Sequence, residues 1–201
     1  MSDPSLLGRR VLLRPLRRDD FDQWRSVREN NLDWLVKWEP SRAPNAPDVF
    51  GDVTAFSLRC QARSREWQAG IGYGFGLFVE GAFIGEINLS SIQRGPFQSC
   101  YVGYWIDQRF AGNGYVPEAL VLVAKYAFEV LVLHRIQISI VPRNIASKRV
   151  VEKLGIREEG TAERYLEING VWEDHVRYAI TSEEWYERRE GLLETWVGSS
   201  S

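Results

Sequence analysis

The chain is poor in sulfur and histidine, with two cysteines, one methionine and two histidines in 201 residues. Cys60 and Cys100 form neither a disulfide framework nor a metal-binding spacing, so no metal is expected and both read as core thiols. His134 and His175 can titrate near neutral pH, but neither has a partner visible in sequence, and a structural role is expected for each. Long apolar runs are missing too. The longest, Ala119 to Leu133, is interrupted by Lys125 and Glu129 and is too short and too charged to span a bilayer, so no membrane partner is expected. There is no excess of positive charge: 25 Lys and Arg against 27 Asp and Glu leave a formal net charge of −2. That balance argues against a nucleic-acid surface, and the basic clusters at Arg9-Arg10 and Arg14 to Arg18 are local. Met-Ser-Asp-Pro carries neither a basic nor an apolar leader segment, so a cytoplasmic location is expected.

What the chain does have is enough apolar sequence, 44%, to fill the core of one domain, expected over residues 1–196 with a flexible tail at 197–201. Val11 to Leu16 reads as a strand. Asp19-Asp20 then caps a helix reaching Asn30, with Phe21, Trp24 and Val27 on one face. Residues 31–46, rich in Trp and Pro, read as an irregular loop bordering an acceptor site, followed by a helix from Pro47 to Gln68. Tyr73, Phe75, Leu77 and Val79 alternate with small residues, Glu80-Gly81 turns, and strands at Phe83–Ile92 and Cys100–Ile106 follow. A helix after residue 114 buries Ala119/Leu120, Val123/Ala124 and Ala127/Phe128, and Ile136, Ile138 and Ile140 alternate in the next strand. Asn169-Gly170 marks a hairpin between 158–168 and 171–180, and an amphipathic helix runs from Ser182 to about Trp196. This order is α+β, with a mixed, mostly antiparallel central sheet flanked by helices.

The stretch Arg109-Phe-Ala-Gly112-Asn113-Gly114-Tyr115-Val-Pro117-Glu118 joins a strand to a helix and reads as an anion cradle. Gly112 and Gly114 allow a tight turn that presents successive backbone N–H groups, and the helix adds its unpaired first-turn amides and the positive end of its dipole. The cradle is not a Walker loop, because Tyr115-Val116 stands where Lys-Ser/Thr would hold phosphate and magnesium. It is not a dinucleotide fingerprint either, since residue 117 is proline rather than a third glycine.

R-x-x-G-x-G at such a junction resembles the acyl-coenzyme A loop of the GNAT acetyltransferase superfamily. A second signature agrees with it: Val141-Pro-Arg-Asn144-Ile-Ala-Ser147 and Lys153-Leu-Gly155, a strand ending in V-x-x-N-x-x-S before a helix ending K-L-G. Val11 to Phe21, Glu29-Asn30 through Trp38-Glu-Pro40, Glu158-Glu159-Gly160 and Asp174 to Tyr178 are similar to the branch holding the RimJ- and RimL-type ribosomal-protein alanine acetyltransferases. The resemblance covers roughly residues 9–185. It implies a fold whose two central strands splay apart to admit the pantetheine arm, and acetyl-coenzyme A as co-substrate. It also implies a coenzyme site made of Trp105, Ile106, Asp107, Arg109, Gly112, Asn113, Gly114, Tyr115, Asn144 and Ser147.

Acetyl transfer from a thioester to an amine needs a neutral amine, a stabilised oxyanion and a proton for the departing thiolate. Backbone amides around Trp105 to Asp107 are what the resemblance implies for the oxyanion, and Ser147 for the proton, with Tyr115 and Tyr178 in reserve. Glu159 is the first choice of base and Glu86, on one strand face with Asn88 and Ser90, the second. A purely structural role competes at each position: a first-turn hydroxyl for Ser147, a helix cap for Asn144, solvated strand positions for the two glutamates. An α-amine titrates near ~8 and a lysine ε-amine near ~10.4, so neutralising lysine needs about 3 kcal/mol more help. The easier acceptor is therefore a protein N-terminus, Ala or Ser, with a small amine such as an aminoglycoside, polyamine or amino-acid derivative as the alternative. A non-catalytic acyl-coenzyme A sensor would keep the loop and lose the acid and base. The assembly is expected to be a monomer or homodimer.

Overall fold

The computed structural model describes residues 4–40 and 51–198. Eight strands form one sheet: β1 (Leu6–Leu7), β2 (Val11–Arg14), β3 (Tyr73–Val79), β4 (Ala82–Gln93), β5 (Ser99–Ile106), β6 (Arg135–Ile140), β7 (Arg157–Ile168) and β8 (Val171–Thr181). Their order across the sheet is β1-β2-β3-β4-β5-β6-β8-β7, and every neighbouring pair is antiparallel except β5 and β6. Strand alternation sorts side chains between the two faces. Val11, Leu13, Leu77, Ile87, Val102 and Ile138 enter the main core, whereas Leu12, Phe78 and Trp105 join a smaller cluster on the other face.

The helices divide accordingly. α4 (Tyr115–Lys125), α5 (Ile145–Lys153) and α6 (Ser182–Trp196) supply the main core with Ala119, Val123, Val151 and Trp185. α1 (Phe21–Asn30) and the first half of α3 (Val53–Ala69) close the smaller cluster through Trp24 and Phe56. Two-residue turns at Glu80-Gly81 and Asn169-Gly170 have positive φ throughout, 50° and 82° in the first and 46° and 81° in the second. That geometry matches the twist of the hairpins they close. The expected α+β architecture, a mixed and mostly antiparallel sheet between helices, is the one observed.

Several expectations need adjustment. The segment after Asn30 is not wholly irregular: Leu32–Leu35 form a helical turn, α2, continued by a 3₁₀ turn at Val36–Trp38. No proline interrupts these seven residues, and Trp34 Nε1 anchors them by donating to the Ile106 carbonyl at 3.2 Å. The expected loop over 41–46 and the helix start at Pro47 involve residues 41–50, outside the described residues, as are 199–201 of the expected tail; α3 begins at Val53. His134, which showed no partner in sequence, meets Glu183 at 3.2 Å. Cys60 and Cys100 are free thiols, pushed up to about 11 and about 12 by burial. No helix among the described residues is long and apolar enough to cross a membrane.

Candidate active site

β5 and β6 pair only at Ser99↔Arg135, Cys100↔Ile136 and Tyr101↔Gln137. β5 then continues to Ile106 and β6 to Ile140 without further pairing, so the sheet opens into a fork. Asp107 N–H donates to the Ile84 carbonyl at 2.8 Å, one step beyond the Gly85↔Ile106 register. Antiparallel pairs alternate between bonded and non-bonded. Trp105, opposite Glu86, therefore spends its N–H and C=O on β4, while Tyr104 and Ile106 turn theirs into the fork. Of the expected oxyanion donors, the amides of Trp105 and Asp107 are occupied within the sheet, whereas that of Ile106 faces the opening, as does that of Tyr104, which was not among those expected.

The cradle follows β5. Gly112 and Gly114 adopt φ of 83° and 85°, which glycine reaches without steric cost. A Cβ at Gly112 would meet nothing within 4 Å, so its peptide lies open. Glu118 N–H returns to the Gly114 carbonyl at 3.2 Å, leaving the Tyr115 and Val116 amides among the unpaired first-turn donors of α4. The Arg109 guanidinium turns back to Asp107 at 2.5 Å. Asp107 is 1% exposed; burial works against its ionisation, but the Arg109 side chain and amide prevail and hold its carboxyl below the usual range. Arg10 Nη1 donates to the Asn113 carbonyl at 2.9 Å, and the Arg10 Cζ lies 4.8 Å from the Tyr115 ring centre. Diphosphate oxygens suit this donor set, in which helix amides and an arginine converge.

On the helix side of the fork, Asn144 caps α5, its Oδ1 accepting from Ser147 N–H at 3.1 Å. This leaves the Asn144 side-chain NH₂ to donate outward. Ser147 Oγ lies 2.9 Å from Tyr104 Oη, which also lies 3.3 Å from the Ser147 carbonyl. Tyr104, absent from the expected site, stands three residues past the last β5–β6 pair. Burial, offset only in part by Ser147, raises its pKa, so its phenol stays protonated. Tyr178, one of the reserve acids, lies near enough to add to that rise. Burial first, then Glu158 at 3.2 Å, pushes Tyr178 up to about 12.

The two expected bases lie elsewhere. Glu86 is 4% exposed and accepts from Arg59 at 2.5 Å and from Trp24 Nε1 at 2.8 Å. Burial opposes its charge, but Arg59 prevails and its pKa is lowered. Glu159 lies on β7, separated from β6 by β8, and pairs with Arg135 and with Arg157. The hydrogen bond from Arg135 leads in lowering its pKa. Neither carboxylate contacts Ser147, and guanidinium clamps make both weak proton acceptors.

The mouth of the fork is bridged. Besides Trp34 on Ile106, the Trp38 ring lies 4.8 Å from the Arg143 guanidinium, just beyond β6. Asn169 N–H donates to the Glu39 carbonyl at 3.2 Å, and Pro40 pairs with Ile168. Residues 34–40 thus run from the end of β5 to the β7–β8 turn. Arg28, paired with Glu39, stacks 4.8 Å from the Trp105 ring and supports the bridge from below.

A fork between parallel strands, an amide cradle opening a helix and a capped serine at the next helix define an acyltransferase of the GNAT type. The family model "Acetyltransferase (GNAT) domain" matches residues 10–157, and the chain belongs to that family. Among its relatives, the probable N-acetyltransferase YjcK of Bacillus subtilis is 36% identical over 180 residues, covering 87% of this chain and 96% of that protein. The ribosomal protein uS5-alanine N-acetyltransferase of Escherichia coli is 35% identical over 170 residues, covering 83% and 86%. The structure of Mycobacterium smegmatis RimJ in complex with CoA-disulfide superposes with a TM-score of 0.85 at 30% identity, covering 96% of this chain and 93% of that one. The protein is an N-acetyltransferase.

Proposed function

We propose that this N-acetyltransferase moves the acetyl group of acetyl-coenzyme A directly onto the N-terminal α-amine of a protein, alanine or serine first, as of a ribosomal protein. The observation that carries this reading is the Ser147–Tyr104 pair at the fork, 2.9 Å apart and next to two outward-facing backbone amides. The relation to the uS5-alanine enzyme supports the choice of acceptor.

Acetyl-coenzyme A supplies an activated thioester. The open amides at Gly112, Tyr115 and Val116, with Arg10 and Arg109 beside them, suit its diphosphate, and the Asn144 NH₂ suits an amide of its arm. The Tyr104 and Ile106 amides offer the donors that a developing oxyanion requires. Ser147 Oγ holds a proton for the sulfur, and Tyr104, kept neutral by burial, orients it by accepting its hydrogen bond. Among the described residues no carboxylate is hydrogen-bonded to Ser147, which suits an amine already neutral in about one molecule in ten at pH 7 better than a lysine. Incubation with acetyl-coenzyme A and a panel of Ala-, Ser- and Lys-bearing peptides and small amines, read by fragment mass spectrometry, tests this. Acetyl on the α-nitrogen of Ala or Ser peptides is expected, and acetyl only on lysines or small amines would refute the assignment.

A further inference from the structure

The face of the fork opposite α4, α5 and α6 carries polar groups that the transfer step does not use. Tyr101 and Gln137 share this face as the last pair of β5 and β6, so Gly103 and Ser139, two residues on, flank its opening. Asn88 is the register partner of Gly103, and Arg177 that of Ser139. One bank thus holds an amide and the other a guanidinium, with the open fork between them. The space between is open on the β5 side: Gly103 is exposed, and a Cβ there would meet nothing within 4 Å.

Two buried atoms at these banks lack hydrogen-bond partners, Asn88 Oδ1 and Arg177 Nε. Such atoms are costly unless something satisfies them. The charge balance is equally one-sided. The neighbouring arginines each have a carboxylate: Arg28 with Glu39, Arg59 with Glu86, Arg135 with Glu159 and Arg143 with Glu173. Among the described residues Arg177 has none. Its Nη2 donates to Gln137 Oε1, and Gln137 is fixed in turn by Ser99 Oγ at 3.3 Å. The glutamine orients the guanidinium without neutralising it.

We infer that this face reads a carboxylate on the acceptor, with Arg177 binding the anion. The acceptor class is an amine that carries a carboxylate. This rests on the acetyl-transfer reading above and narrows its substrate. The carboxylate has two possible sources, an acidic side chain at the second position of a peptide or the α-carboxylate of a free amino acid.

The test uses the full chain with saturating acetyl-coenzyme A in two arms. The peptide arm compares sequences beginning Ala-Glu, Ala-Gln and Ala-Lys; the small-molecule arm compares alanine with alaninamide. The wild type is expected to favour the anionic member of one arm by about tenfold or more in kcat/KM, mainly through KM. The arm showing the preference names the source. Arg177→Gln should flatten that preference while leaving turnover of the neutral member within about twofold, and Arg177→Lys should keep part of it. Circular dichroism checks the fold, and Arg177→Met, which retains the apolar stem, replaces the glutamine variant should that one not fold. No anionic preference in either arm, or a preference surviving loss of the guanidinium, overturns the inference. Should no acceptor be acetylated, the transfer reading fails separately. Binding of N-acetyl-Ala-Glu and N-acetyl-Ala-Gln peptides, followed by tryptophan fluorescence in wild type and Arg177→Gln, then decides this inference by the same criterion.

Discussion

Glu118, with 0% exposure in the first turn of α4, locks Arg10 from two sides, taking its backbone N–H at 2.7 Å and its Nε at 3.0 Å. Arg10 passes the restraint on to the Asn113 carbonyl in the cradle. Glu118→Gln is expected to raise the dissociation constant for acetyl-coenzyme A about tenfold, the scale of a lost charge-assisted hydrogen bond of about 1.5–3 kcal/mol. The melting temperature should fall by about 3–12 °C in a domain of this size, at about 2–4 °C per kcal/mol. Calorimetry on the folded variant checks it, and undiminished coenzyme affinity would show that the brace does not shape the loop.

Ser147 and Tyr104 divide one task unequally. Ser147→Ala should lower kcat about a hundredfold, the lower end for loss of a positioned proton donor. Tyr104→Phe keeps the serine but removes its hydrogen-bond partner, and a loss of about tenfold is expected. Steady-state kinetics with an alanine-ended peptide measures both. A larger loss in Tyr104→Phe than in Ser147→Ala would make the phenol itself the donor.

Glu159 is held ionised by two arginines, which turns its expected catalytic role into a testable question. With Arg135 lowering its pKa, the carboxylate is already charged throughout the neutral range. Glu159→Gln should therefore leave the rise of kcat/KM between pH 6 and pH 9 in place, since that limb reports the amine near ~8. Loss of the limb, together with collapse of turnover, would return the base assignment to Glu159.

The buried pair of Glu86 and Arg59 is expected to matter for stability and for its dependence on pH. A carboxylate with a lowered folded pKa contributes stability that is full above its unfolded value, ~4.3, and fades as pH falls through the folded value. Arg59→Met strands the charge and should cost about 3–5 kcal/mol at pH 7. In that variant the carboxyl titrates upward, so the deficit should shrink on acidification to pH 4. Urea melts at the two pH values decide, and a deficit independent of pH would mean that packing dominates.

Most of the fold was legible because its signals are local. Alternating apolar residues mark the strands, Asn169-Gly170 the hairpin, and Asn144 and Gly155 the ends of α5. The cradle was legible for the same reason, since two glycines before a helix carry their own geometry. Residues 32–38 were misread because neighbouring prolines overshadowed a proline-free turn that owes its shape to Trp34. The chemistry was harder to read. Tyr104 differs from any other strand tyrosine only because pairing with β6 stops at Tyr101, a fact of two strands at once. The carboxylates were visible as residue types, but their clamps, Arg59 and Arg135, lie 27 and 24 positions away in the chain.

The bridge from Trp34 to Pro40 converts an open cleft into a hoop. A hoop can be threaded only by something that ends. On the proposed reading of an α-amine acceptor, selection of the first residue over the rest of a protein would be a matter of topology rather than of affinity.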